Sequence, residues 1–157
     1  MAGATFAANL VCPERALFEG RAKAVSCRTS DGLITMQNLH TPLVADVLPG
    51  VVTIETETGD LAVLVHGGFL QVATGPGLDP EVENAPGSTV TVLAGVAELV
   101  SEIDVARAEL AKAAAEAELS GLSGSNAGED DHVVASRRMS AEADLARADL
   151  RLATARQ

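Results

Sequence analysis

Near residue 100 the hydrophobic pattern of this chain changes period, and few folds accommodate such a change. Up to about Ala97 the residues fall into short alternating or β-branched runs separated by Gly, Pro and Asp. Runs of this kind point to half-buried strands joined by tight turns, as in a sandwich or barrel. Phe6, Ala8, Leu10 and Cys12 alternate, Val25 and Cys27 share one face, and Asp31-Gly32 turns the chain into Leu33-Ile34-Thr35-Met36. Pro49-Gly50 turns it again before Val52, Ile54 and Thr56, and Thr58-Gly59-Asp60 makes a third turn. Leu61 to Val65 and Phe69 to Val72 flank Gly67-Gly68, and Thr89 to Leu93 completes the set. The stretch 73–88 holds Gly75, Pro76, Gly77, Pro80, Pro86 and Gly87 and reads as a protruding loop insertion, because proline removes a ladder donor and glycine weakens a strand.

From Ser101 onward Ala, Glu, Leu, Lys and Arg dominate, the residues that cost least in a helix. Ser101, with Asp104 three residues on, has the look of a capping box, and Ile103, Ala106, Leu110, Ala113 and Ala117 form a helical stripe reaching about Leu119. Gly121 to Asp131 reads as a flexible connection whose terminal acids suit a helix start. A second helix is expected over about 133–155, with Ala141, Leu145, Ala148 and Leu152 on its inner line. Alanine-rich lines bury little area, so this pair of helices is expected to be marginally stable and able to detach. The expected class is α+β: an N-terminal antiparallel β-sandwich over 1–97, then a C-terminal antiparallel two-helix hairpin over 98–157.

Composition narrows the function. At 157 residues the chain can bury one modest core, and with three Phe and no Tyr or Trp that core must be aliphatic. A net charge of −11 repels phosphate backbones, and aromatic platforms for bases are missing, which excludes nucleic acid as the main partner. No window has the roughly 18 apolar residues of a membrane-spanning helix, so the chain is expected to be cytosolic or peripheral to a membrane. Cys12 and Cys27 lack the spacing of a zinc or redox motif and read as reduced structural thiols. His40 and His66 stand apart from other ligand types, so no metal site is expected. His66-Gly67-Gly68 has no G-x-S-x-G nucleophile elbow to accompany it, and no Walker A sequence is present, so no catalytic residue is assigned.

The order of these two halves, together with several stretches, resembles the ε subunit of bacterial F-type ATP synthases over nearly the whole chain. Leu10-Val11-Cys12-Pro13-Glu14-Arg15-Ala16-Leu17-Phe18-Glu19-Gly20 is similar to that family's first hairpin, and Ser30-Asp31-Gly32 through His40-Thr41-Pro42-Leu43 to its loop and His-x-Pro-Leu segment. Leu48-Pro49-Gly50-Val51-Val52, Val65-His66-Gly67-Gly68-Phe69-Leu70-Gln71-Val72 and Val90-Thr91-Val92-Leu93-Ala94 match in order. The family has Pro-Gly before the His, whereas Asn38-Leu39 precede His40 here. Both the 73–88 stretch and the interhelical connection are longer than usual.

The resemblance implies candidate sites. Ile103-Asp104-Val105-Ala106-Arg107-Ala108 looks like the Ile/Leu-Asp-x-x-Arg-Ala motif by which some bacterial ε subunits bind ATP, and Arg147 and Arg151 fall where the family's second helix carries arginines. With Glu98 at the hinge, this implies Arg107, Arg147 and Arg151 on phosphates and Asp104 and Glu98 accepting hydrogen bonds from ribose or adenine. Ala114 stands where strong ATP binders place a further arginine. The competing reading of the same residues is structural: Asp104 caps the helix, Arg107 pairs with it, and Arg147 and Arg151 are solvated or pair with Asp144 and Asp149. Asp31, Gly32 and His40 are implied contacts to the membrane c-ring. The implied function is that of a non-catalytic rotor-stalk subunit on the cytoplasmic side of the membrane. It would bind γ and the c-ring through the sandwich, need no cofactor beyond regulatory ATP, and inhibit ATP hydrolysis by extending its hairpin into the catalytic α/β head. The rivals are a free-standing β-sandwich binding module with a helical tail, and a small hydrolase or lyase, which would need clustered acid and base groups in an apolar pocket.

Overall fold

In the computed structural model, residues 4–76, 86–124 and 130–157 are described. They form two compact units, Met1–Glu102 and Ile103–Gln157. The first is built from ten strands: β1 (Phe6–Val11), β2 (Ala16–Ala22), β3 (Ala24–Thr29), β4 (Gly32–Met36), β5 (Leu43–Val47), β6 (Gly50–Glu55), β7 (Asp60–Val65), β8 (Gly68–Pro76), β9 (Pro86–Ala94) and β10 (Ala97–Leu99). Their order is β10-β7-β6-β3-β5-β8-β9-β1-β2, with β4 on β3. Two halves of this sheet meet at one bridge, Thr29 with Val47, where β3 passes from the β6 ladder to β5. The expected sandwich is therefore present, with one difference in pairing. β1 runs parallel to β9, Ala7–Val11 against Thr89–Leu93, because the two strands are separated by most of the chain rather than by a hairpin turn.

Strand alternation puts Phe6, Ala8, Leu10, Val25, Cys27, Val52, Ile54, Leu70, Val90 and Val92 inside, each nearly solvent-free. Phe6 is joined there by aliphatic side chains, Met36 and Cys27, which is the aliphatic core that composition called for. β5 carries no clear period in the sequence because Val44 is 74% exposed on its outer face, mixing an outward valine into an otherwise alternating run. The stretch expected to leave the sheet at residue 73 stays in it: β8 and β9 remain paired from Ala73 with Thr89 to Pro76 with Pro86. Ser88, 1% exposed, shares a hydrogen bond with the half-buried Thr74 at 3.2 Å, and this hydroxyl pair fastens the extension. The remainder of the expected insertion, 77–85, lies outside the described residues.

The second unit is a helical hairpin. A 3-10 turn, Val100–Glu102, ends the first unit, and α1 (Val105–Gly124) and α2 (Asp131–Ala155) follow. Ser101 is not the cap: Asp104 Oδ1 accepts from the Arg107 N–H at 3.0 Å, so helix α1 starts after Asp104. The buried line of α1 also differs from the expected stripe. Ala108, Ala115 and Leu122 recur every seven residues and face inward, while Ala106, Leu110, Ala113 and Ala117 lie on the exposed side. Alanine and leucine do not distinguish the two faces by hydrophobicity, so the interhelical ion pairs decide: Lys112 reaches Asp149 at 2.7 Å and Arg137 reaches Glu118 at 3.5 Å. On α2 the expected line holds, with Ala141, Ala148 and Leu152 buried and Leu145 half-buried. Gly121–Gly124 are helical rather than part of the connection, since Leu122, 3% exposed, draws the last turn into the seam. The rest of that connection, 125–129, lies outside the described residues, and Asp130 caps α2 by accepting from the His132 N–H at 3.0 Å.

Candidate functional site

Within the hairpin, Arg147 and Arg151 lie one turn apart on α2 and line a cavity of about 250 Å³ with Ala111, Ala114, Ala115, Glu118 and Asp144. Ala114 thus stands in the wall of the groove that holds these two arginines. Its short side chain leaves space where an arginine would add charge. Arg147 is paired with Asp144 one turn before it, in agreement with the structural reading of that residue. Asp149 is bound instead to Lys112, whose pKa is raised by that hydrogen bond and by the carboxylate charge. Arg107 is exposed and does not line the cavity, but it precedes Ala111 by one turn of α1, roughly 6 Å along the axis.

The other motif residues have structural duties. Asp104 is committed to the helix cap, where its carboxylate satisfies a backbone N–H that α1 otherwise leaves unbonded. Ala108, 2% exposed, belongs to the seam, and Ile103 is half-buried. Glu98 belongs to the first unit, on β10, with its Oε1 3.6 Å from His66 Nε2. The His66 side chain is 6% exposed. Among the described residues no group of three or more His, Cys, Asp or Glu is placed to hold a metal ion.

Asp31 and Gly32 form the exposed turn between β3 and β4, where Gly32 has φ 121°, a conformation side chains resist. His40 follows the other end of β4. β4 itself runs four residue steps, roughly 13 Å of strand, from Gly32 to Met36, and His40 lies four residues further on. The His40 loop is built firmly: Leu39 N–H donates to Ser88 Oγ at 2.7 Å, and Thr74 Oγ1 donates to His40 C=O at 2.6 Å. Leu39 has φ 62°, in the left-handed region, and its side chain is 53% exposed. This is the position where the resembled family carries glycine. The left-handed Leu39 is held by its N–H, which donates to Ser88 Oγ and Asn38 Oδ1.

The first unit also fixes the segment that leads to the hairpin. β10 pairs with β7 through Glu98 with Leu64 and Leu99 with Val63, and Glu102 accepts from Arg15 of the β1–β2 turn at 2.6 Å. The Glu102 hydrogen bond, with its charge, raises the Arg15 pKa. No part of the sequence pattern signalled either contact, because the partners are separated by 87 residues in one case and meet through a sheet edge in the other.

Among the described residues no helix is long and apolar enough to cross a membrane. Comparison with known proteins then fixes the lineage. Residues 5–75 match the profile described as ATP synthase, Delta/Epsilon chain, beta-sandwich domain. The chain is 38% identical over 119 residues to the ATP synthase epsilon chain of Desulforudis audaxviator, covering 76% of this chain and 77% of that one. It is 39% identical over 117 residues to that of Corynebacterium jeikeium (73% and 85% covered) and 38% identical over 116 residues to that of Thermobifida fusca (72% and 76% covered). The same fold occurs in a chain of the Euglena gracilis mitochondrial ATP synthase, at TM-score 0.63 and 19% identity over 96% of this chain and 81% of that one. With identity above a third across most of each bacterial relative, and the sandwich and two-helix hairpin both in place, the chain belongs to the ATP synthase epsilon chain family.

Proposed function

We propose that the chain is a non-catalytic rotor-stalk subunit: its sandwich docks on γ and the c-ring, and its hairpin restrains ATP hydrolysis in the catalytic head. The observation that carries this reading is the contrast between the two units. The sandwich has a dense core of fully buried Phe, Leu, Ile, Met and Val side chains. The hairpin is closed by two leucines, four alanines and a threonine, with exposed ion pairs across its seam. At about 1.5–3 kcal/mol for each leucine and about 0.8 kcal/mol for each alanine methyl, such a seam can be exchanged for another surface at modest cost. A rigid docking platform joined to a weakly closed hairpin is what a two-state regulator requires.

Contact with the c-ring is assigned to Asp31, Gly32 and His40, and places the protein on the cytoplasmic side of the membrane as a peripheral subunit. Co-purification with γ and the c-ring from solubilised membranes tests this stalk role. A chain recovered without either would instead be a free-standing binding module. ATP is the regulatory ligand we assign to the hairpin groove, with Arg147, Arg151 and Arg107 receiving phosphates. The groove of about 250 Å³ is smaller than the roughly 300–1,000 Å³ of most ligand pockets, and Ala114 brings no charge to it, so weak affinity is expected. Isothermal titration of the wild type and of Arg147→Ala with ATP tests the assignment: heat is expected only from the wild type, and no heat from either refutes it.

A further inference from the structure

The opening of α2 buries nothing. Residues 131–140 contribute no buried side chain, and the helix enters the seam only at Ala141, 1% exposed. Polar contacts hold this segment: Asp130 caps it by accepting from the His132 N–H at 3.0 Å, and Arg137 reaches Glu118 of α1 at 3.5 Å, both side chains being about half exposed. Such a segment can unwind locally without giving up buried apolar area. It is also the one place in this chain of net charge −11 where two of the eleven basic residues are adjacent, Arg137 and Arg138. Met139 and Ser140 follow, and Ser140 is exposed. Protein kinases whose substrate cleft is lined with carboxylates read this pattern, because guanidinium groups two and three residues ahead fork onto the acids and bring the hydroxyl to the phosphoryl donor. We propose that Ser140 is a phosphorylation site for a kinase of this arginine-directed class, and that its phosphate loosens the opening of α2.

In the transfer, Ser140 Oγ attacks the γ-phosphorus of Mg-ATP held by the kinase. The new P–O ester bond forms as the bond to ADP breaks, ADP leaves, and the hydroxyl proton passes to the catalytic base of the kinase. Local unwinding of 131–140 lets the segment lie extended in the kinase cleft. The product carries about two negative charges at neutral pH. Arg137 stands one turn before it and Asp144 one turn after it on α2. The phosphate therefore draws Arg137 from Glu118, replacing a contact between the two helices by one within α2, and it repels the Asp144 carboxylate, which Arg147 already holds. Ser140 is the tenth residue of α2, beyond the first turn in which the helix dipole rewards negative charge. For ATP hydrolysis, a hairpin loosened in this way would exchange its seam more readily. That consequence rests on the brake reading above, but acceptance of phosphate by Ser140 does not.

The full-length chain tests both parts without any partner subunit. Incubated with Mg-ATP and the catalytic subunit of the cAMP-dependent protein kinase, an arginine-directed enzyme, the wild type is expected to gain one phosphate, placed on Ser140 by peptide mass spectrometry. Ser140→Ala should gain none. Arg138→Ala, which leaves the Arg137–Glu118 pair in place, should lower kcat/KM about tenfold or more. Amide hydrogen exchange then reads the consequence: protection over 132–140 should fall about two- to fivefold on phosphorylation, and Glu118→Gln should produce a similar fall in the unmodified chain. A wild type left unmodified while a control peptide is fully converted overturns the site, as does a Ser140→Ala chain phosphorylated at the wild-type rate or an unchanged kcat/KM in Arg138→Ala. Equal or higher protection in the phosphorylated chain overturns the loosening.

Discussion

Gly68 offers the sharpest test of the sandwich. A methyl group built there would sit 2.1 Å from the carbonyl oxygen of Leu93 and 3.0 Å from the Cα of Ala94, both backbone atoms of the strand opposite. An unstrained carbon–oxygen approach is about 3.3 Å, so β8 and β9 would have to part by roughly 1 Å. That separation takes ladder hydrogen bonds at this end out of range, at about 1 kcal/mol each, and adds strain of about 1–3 kcal/mol. Gly68→Ala is therefore expected to destabilise the first unit by about 3 kcal/mol. At a urea slope of about 1–1.5 kcal/mol per M for a unit of this size, the midpoint falls by roughly 2–3 M. The control is Gly95→Ala, where the added methyl meets nothing within 4 Å. With no Tyr or Trp to follow, the probe is pulsed thiol labelling of Cys27, which is 0% exposed and becomes reactive only when the sandwich opens. Equal midpoints for the two variants would refute the close approach of β8 and β9.

Three further outcomes follow from the same structure. Leu39→Gly should stabilise the first unit by about 0.5–1 kcal/mol in a urea melt, since relief of the left-handed leucine exceeds the added chain entropy; a loss would mean that the exposed side chain packs after all. Asp104→Ala should cost the hairpin about 1 kcal/mol and raise exchange of the first amides of α1, with unchanged exchange counting against the cap. Burial pushes the Cys27 thiol from 9.0 up to about 11, so the folded state keeps its proton longer than the unfolded state does. Stability of the first unit should then fall as pH rises from about 9 towards 11, and a Cys27→Ala variant should lose that slope.

Where periodicity and burial agreed, the fold was legible from the residues. β1, β3 and β6 alternate over most of their length, and Phe6, Ala8, Leu10, Val25, Cys27, Val52 and Ile54, which the pattern named, are buried. β5 and β10 were not legible, the first because Val44 points outward and the second because three residues carry no period. The hairpin seam was misread on α1 for a different reason. In a helix where alanine covers several faces, hydrophobicity does not choose among them, and long-range partners such as Asp149 for Lys112 do. The arginines of the groove were visible as a spacing, but their enclosure with Ala114 was not, and the contacts of Glu98 and Glu102 depend wholly on tertiary partners.

The restraint of ATP hydrolysis by the hairpin is tested most directly on the assembled enzyme. ATPase activity should be compared between complexes carrying the full chain and complexes carrying a chain ended at Glu102, after confirming that both chains co-purify with γ. The expected result is a higher hydrolysis rate in the shortened complex at equal assembly. Equal rates would contradict the account, leaving the chain a stalk component without a brake.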